Sequence, residues 1–176
     1  MARYFFALDI TASDKQRIEL TREDWLEQIS MYKLMPKNNF HLTLAFLGDI
    51  TDEQKAALFI EADNISNAIA PISSGHLTVN HLGLFTKPQV LYLGVSNTPE
   101  WLLNLANGLK KTAVSLGIFQ EDRPYTPHVS IARKAKKLPI IDQVNITIDV
   151  KSFSYYESIS TKESVIYVPL KQWYID

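Results

Sequence analysis

Two short segments of the chain carry the same pair of side chains at the same spacing. His41-Leu42-Thr43-Leu44 and His128-Val129-Ser130-Ile131 each place a histidine two residues before a hydroxyl. In an extended strand successive side chains alternate between faces, so imidazole and hydroxyl emerge together. Leu42, Leu44 and Phe46 are then expected on the opposite face, in a core, as are Val129 and Ile131. Histidine titrates near neutrality, so two imidazoles can hold opposite protonation states at one pH. One can take a proton from water while the other gives a proton to a leaving oxygen. The hydroxyls can donate hydrogen bonds to oxygens that gain charge. This set suits the opening of a cyclic phosphate by water, without a metal. The residues identify the pair but do not divide acid from base.

The short pattern is not selective, because His76-Leu77-Thr78-Val79 carries it too. His76 follows Gly75 and has no counterpart at a matching place in the chain. A structural or surface role is expected for it and for His81. Placement is what sets His41 and His128 apart. A strand at Tyr4–Ile10 is followed by a helix to about Ser30, opened by a capping box at Ser13-Asp14-Lys15-Gln16, and then by a strand over Phe40–Leu47 closed by Gly48. A strand over Val90–Val95 is followed by a helix that starts at Thr98-Pro99-Glu100 and stops at Gly117, and then by a strand over His128–Arg133. Phe6 to His41 and Leu93 to His128 are both 35 positions. Two strand–helix–strand units of one layout imply a duplicated architecture around a shared cleft.

The remaining segments fill in around these units. Thr51-Asp52-Glu53-Gln54 is a second capping box, opening a helix to about Ile69. Pro71–Gly75 reads as a loop, and His76–Phe85 as strand. The tail from Val144 to Val168 reads as a β-hairpin made of Ile146–Val150 and Ser164–Val168. Trp101, Leu102 and Leu105 have helical spacing and are expected in the core.

Composition narrows the chemistry. The chain has 176 residues, 46% of them hydrophobic, and no cysteine, which removes disulfides, thiolate nucleophiles and Cys-ligated zinc. A net charge of −1 is low for a protein that grips long duplex DNA but compatible with a small anionic substrate. No apolar run approaches the roughly 18 residues that a membrane helix needs. The opening Met1-Ala2-Arg3-Tyr4-Phe5-Phe6-Ala7-Leu8-Asp9-Ile10 is too short and too soon acidic for a signal peptide. A cytoplasmic monomer without membrane association is expected. There is no Gly-rich P-loop, no Gly-x-Ser-x-Gly elbow and no histidine spacing of a zinc helix.

The wider contexts of the motifs carry a resemblance. Asn39-Phe40-His41-Leu42-Thr43-Leu44-Ala45-Phe46-Leu47-Gly48, Arg123-Pro124-Tyr125-Thr126-Pro127-His128-Val129-Ser130-Ile131-Ala132-Arg133 and the Phe-Phe-Ala-Leu-Asp opening resemble the 2H phosphoesterase superfamily. The likeness is to its RNA 2′,3′-cyclic phosphodiesterases, formerly called 2′-5′ RNA ligases, and covers essentially the whole chain. Ser130 stands where threonine is commoner, which keeps the hydroxyl. The resemblance implies an α+β fold over residues 1–176, one bilobal domain of two pseudo-symmetric lobes. Their antiparallel sheets are flanked by helices, with one motif per lobe lining a central cleft. It implies His41 as proton donor to the leaving 3′ oxygen and His128 as the acceptor that activates water. Thr43 and Ser130 complete the catalytic set, no cofactor is needed, and the product is a 2′-phosphate. RNA ends or tRNA fragments bearing cyclic phosphate are the implied substrates.

Three further residues are candidates for substrate binding. Arg133 matches an arginine that follows the second motif in the family, and a guanidinium could neutralise a phosphate oxygen. Strict alternation from His128 puts it on the wrong face, so a bulge or strand end would have to redirect it. Tyr125 and Phe6 are candidates for stacking on a base, with core packing the plainer reading of Phe6. The basic run Arg133-Lys134-Ala135-Lys136-Lys137 reads as a solvated loop. Three alternatives to hydrolysis of RNA ends share the site: joining of RNA ends through a 2′-5′ bond, hydrolysis of a small cyclic phosphate of a nucleotide or ADP-ribose type, and binding of RNA ends without turnover. Two intact histidine–hydroxyl pairs argue against the last.

Overall fold

The computed structural model describes residues 2–70 and 75–175, so most of the loop expected at Pro71–Gly75 lies outside the described residues. In chain order the elements are β1 (Arg3–Leu8), α1 (Ala12–Glu23), α2 (Leu26–Ile29), β2 (Lys33–Leu34), a 3₁₀ turn (Lys37–Asn39), β3 (Leu42–Gly48), α3 (Asp52–Ile69), β4 (His76–Val79), β5 (His81–Phe85), β6 (Val90–Gly94), α4 (Glu100–Ser115), β7 (His128–Arg133), β8 (Ile146–Asp149), β9 (Ser152–Ser160) and β10 (Val165–Tyr174).

The duplication read from the spacing is present in the strand pairing. One half is the antiparallel row β10-β9-β1-β3, and the other is β7-β6-β5 with the short β2 also on β7. In each half the first strand of the unit pairs antiparallel with the motif strand, β1 with β3 and β6 with β7. The halves meet where Leu42 of β3 pairs with Val129 of β7. β4 and β8 form a separate two-stranded sheet. The helices cross over between the halves. α4, which follows β6, packs on β3 and on α3. α1, which follows β1, sends Arg22 to the Ile131 carbonyl of β7.

The core is the set of apolar faces these elements share. Trp101, Leu102, Leu105 and Leu109 of α4 are buried, with Leu58 and Ala62 of α3 and Leu42, Leu44, Val129 and Ile131 of the motif strands. Each fully buried side chain of this size contributes roughly 1.5–3 kcal/mol. The expected capping box at Thr51 is formed in both directions. The one placed at Ser13 is not. Thr11 is the N-cap of α1 and accepts from the Asp14 amide, because a threonine two residues earlier offers the same hydroxyl. The first helix also breaks at Asp24–Trp25 before the short α2.

The C-terminal hairpin differs from its sequence reading. Ile146–Asp149 pairs with β4, and the hairpin is β9 with β10. Ile146 and Ile148 bury one face of β8 against β4. Ser152–Ser160, which lies between the two strands expected in the tail, carries Phe153 and Tyr155 into the core and forms the partner of β10.

Candidate active site

His41 and His128 stand at the starts of the two paired strands, and their local surroundings repeat. His41 Nδ1 lies 2.7 Å from the Asn39 carbonyl oxygen and His128 Nδ1 lies 2.8 Å from that of Thr126. A carbonyl only accepts, so each Nδ1 carries the proton and donates, and each neutral ring presents its Nε2 lone pair as an acceptor, which in His41 takes a bond from the Thr43 hydroxyl. Aromatic rings brace both imidazoles. Phe5 and Tyr167 contact His41 with ring centroids at 5.0 and 4.8 Å. Phe85 and Tyr92 contact His128 at 4.9 and 5.4 Å. The repeat is incomplete in one bond. Thr43 Oγ1 lies 3.0 Å from His41 Nε2, whereas Ser130 makes no corresponding bond to His128 among the described residues.

Both strands carry a β-bulge at the same place. Phe6 pairs with Ala45 and Ala7 with Thr43, which leaves Leu44 as an extra residue. Tyr92 pairs with Ser130 and Leu91 with Ala132, which leaves Ile131 as an extra residue. One extra residue reverses the alternation beyond it. Arg133 is thereby turned to the face of His128 and Ser130, which removes the parity objection raised by the sequence. The same bulge corrects the reading of Phe46. It is not a core residue but 53% exposed, on the face of His41 and Thr43. Arg22, buried on the other side of β7, holds the second bulge by donating from Nη1 to the carbonyls of Ile131 at 2.9 Å and Met35 at 2.6 Å. Neither Arg22 nor Phe46 was a candidate from sequence, because a bulge has no signal in a single strand's alternation.

The other candidates divide. Tyr125 borders the cleft and its hydroxyl donates to the Thr43 carbonyl at 2.9 Å, tying the loop before β7 to β3. Burial pushes its phenol pKa up, so it remains a donor. Phe6 is fully buried among Phe153, Tyr155 and Trp173 and cannot reach a base. Its neighbour Phe5 occupies the cleft side of β1. His76 pairs with Asp149 at 2.9 Å on the separate β4–β8 sheet, both side chains exposed. His81 bonds to Asn80 and Ser96 through Nδ1. It lies on the cleft face, over Gly94, where a Cβ would come within 2.3 Å of its Nε2. Ala135 is buried, with its amide bonded to the Gln89 carbonyl, while the lysines around it in the basic run are exposed.

The electrostatics push both imidazoles one way. Burial, and then the positive charges of Lys15 and Arg133 and any proton on His128, hold His41 down at about 4 against the pull of the Asn39 carbonyl. Burial and then Arg123 lower His128, opposed by the Thr126 carbonyl. A fixed cluster of positive charge around two neutral rings is a site built for an anion. Among the described residues no three His, Cys, Asp or Glu side chains converge as a metal site would require.

Residues 2–171 match the family model described as the AKAP7 2′5′ RNA ligase-like domain. The chain belongs to the 2H phosphoesterases. It is 32% identical over 173 residues to the RNA 2′,3′-cyclic phosphodiesterase of Escherichia coli, a match covering 97% of this chain and 95% of that one. The enzyme of the same name from Methanocaldococcus jannaschii is 27% identical, over 97% of this chain and 99% of its own. Among solved structures, E. coli LigT in complex with 3′-AMP superposes with a TM-score of 0.82 at 30% identity, covering 98% of this chain and 97% of that one. As in the sequence reading, this 2H phosphoesterase is an α+β protein of antiparallel sheets flanked by helices. No helix among the described residues is long and apolar enough to cross a membrane.

Proposed function

We propose that this 2H phosphoesterase hydrolyses 2′,3′-cyclic phosphates at RNA ends to 2′-phosphomonoesters, by two-histidine acid–base catalysis without a metal. The observation that carries the reading is the repeated arrangement of His41 and His128, each held through Nδ1–H by a backbone carbonyl so that Nε2 is left for proton transfer. The named activity of its E. coli and M. jannaschii relatives supports the same reading.

In the free protein both rings are neutral near pH 7, since burial and neighbouring cations lower them. A bound phosphodiester brings a negative charge between them and draws a proton onto one imidazole. His41 protonates the departing 3′ oxygen and His128 takes the proton of the attacking water, the division carried over from the family. The Thr43 and Ser130 hydroxyls donate to the non-bridging oxygens as charge develops there. Arg133, turned to the cleft face, offers the phosphate a guanidinium. RNA fragments with cyclic ends are the substrates, and a cytoplasmic monomer is the acting form. The same site can serve 2′-5′ joining, in which a 5′-hydroxyl replaces water as the nucleophile that His128 deprotonates and the 3′ oxygen again leaves with a proton from His41.

The test is turnover of a 2′,3′-cyclic dinucleotide in excess chelator. Wild type is expected to yield the 2′-phosphate at an undiminished rate. Loss of turnover on chelation, or a 3′-phosphate product, overturns the proposal.

A further inference from the structure

The two halves of the site are related position by position, 41 with 128, 43 with 130, the bulges 44 with 131, and then Phe46 with Arg133. The first three pairs match in chemistry. The last does not, and it breaks the symmetry of the cleft. β3 and β7 run antiparallel from their shared pair, so Phe46 and Arg133 mark opposite ends. The Arg133 end is cationic, and its charge, with that of Lys15, is felt at His41. The Phe46 end opens into a cavity of about 320 Å³ that also reaches Thr43 and His128. Its walls include Phe119, Phe85 and Tyr125. Phe119 is 84% exposed and Phe46 53%, so two large aromatic faces stand open beside the reacting groups. Two cations line this end, Lys110, which donates to the Arg123 carbonyl at 3.2 Å, and Arg123 itself. The Arg123 guanidinium is paired with Glu121 at 2.5 Å and lies over the Phe85 ring. The Phe46 backbone is pinned, its carbonyl accepting from Gln120 Nε2 at 2.7 Å.

We propose that Phe46 is a substrate-binding residue on which the base of the terminal nucleotide stacks, inside this cavity. The proposal rests on the phosphodiesterase reading and adds the nucleoside subsite to it. A cavity of this size is at the lower end of the roughly 300–1,000 Å³ of small-molecule sites, suited to one base and its sugar. Open aromatic faces take any base by stacking, at about 1–3 kcal/mol per base, so the subsite grips the nucleotide without reading its identity. A half-exposed ring that supports no core leaves little else to lose on truncation.

The experiment compares two substrates, a 2′,3′-cyclic nucleotide and a five-membered cyclic phosphate of a diol lacking a base, for wild type, Phe46→Leu, Phe46→Ala and Phe46→Trp. With the nucleotide, Phe46→Leu and Phe46→Ala are expected to raise KM about 10-fold or more, with kcat changed less, and Phe46→Trp to restore KM. With the base-free phosphate, the loss in kcat/KM is expected to be several-fold smaller. Equal losses on both substrates, or no loss on either, overturn the stacking role. Leucine keeps the apolar bulk, so a fold defect confined to the alanine variant leaves the comparison intact. If wild type turns over neither substrate, the phosphodiesterase reading itself fails, and the stacking role falls with it.

Discussion

Leu42 on β3 pairs with Val129 on β7, and among the described residues this is the one register pair the two motif strands share. Both side chains are completely buried. Each follows a catalytic candidate directly, so the pair sets His41 and His128 on the opposite face, one from each half. The antiparallel sense brings the Thr43 end of β3 alongside His128, where both line one cavity. The two candidate histidines are thus brought together across one register pair between two strand–helix–strand units of one layout.

The bulge at Ile131 makes Arg133 a testable phosphate ligand. Arg133→Gln is expected to lower kcat/KM about 10- to 100-fold, the loss of one charge-assisted hydrogen bond worth roughly 1.5–3 kcal/mol. Steady-state kinetics at low and high salt checks this. Wild-type kinetics in the variant would place the guanidinium outside the substrate's reach.

Arg22 supports that bulge from behind. It is 5% exposed, bonded to two carbonyls and stacked 5.1 Å over Phe40. Arg22→Met leaves buried carbonyls short of a donor, at about 1–3 kcal/mol each. Urea unfolding should register a loss of about 2–4 kcal/mol, softened because the Met35 amide still bonds to Ile131.

Tyr125 ties one half of the cleft to the other. Tyr125→Phe removes the donor to the Thr43 carbonyl while keeping the ring. A stability loss of about 1–2 kcal/mol is expected by thermal or chemical unfolding. A variant as stable as wild type would mean that water replaces the hydroxyl without cost.

The imidazole shifts give a sign to the pH dependence. His41 is held at about 4 and His128 is lowered in the free protein. The reaction needs one ring charged, and that requirement fails as pH rises. A bound phosphodiester anion raises the pKa of the charged ring, so the basic limb of kcat lies at higher pH than that of kcat/KM. A separation of about one unit corresponds to roughly 1.4 kcal/mol of added attraction in the complex. Coincident limbs would mean that the anion does not sit beside the titrating ring.

Much of this was legible in the residues. The motif pair, the two strand–helix–strand units and the faces of Leu42, Leu44, Val129 and Ile131 follow from period-2 alternation and equal spacing. What was not legible depends on partners. The bulges at Leu44 and Ile131 exist because β1 and β6 impose a register, and alternation along one strand cannot show them. Phe46 was therefore assigned to the core and Arg133 left in doubt. Phe6 and Phe5 are adjacent phenylalanines on β1, and only the faces of that strand separate the buried ring from the one against His41. β9 lies within the tail expected to be hairpin, but its pairing with β1 and β10 depends on long-range partners, and two of its serines bond to the Asp9 carboxylate.

The central claim is that His41 and His128 act as one unit on a cyclic phosphate. The most direct test is single-turnover hydrolysis of a 2′,3′-cyclic dinucleotide by His41→Ala, His128→Ala and the double variant, in chelator. Each single change is expected to remove about two to four decades of rate, and the double variant little more than either, because groups that share one proton-transfer step are lost together. Undiminished turnover in either single variant, or losses that multiply in full, would contradict the account.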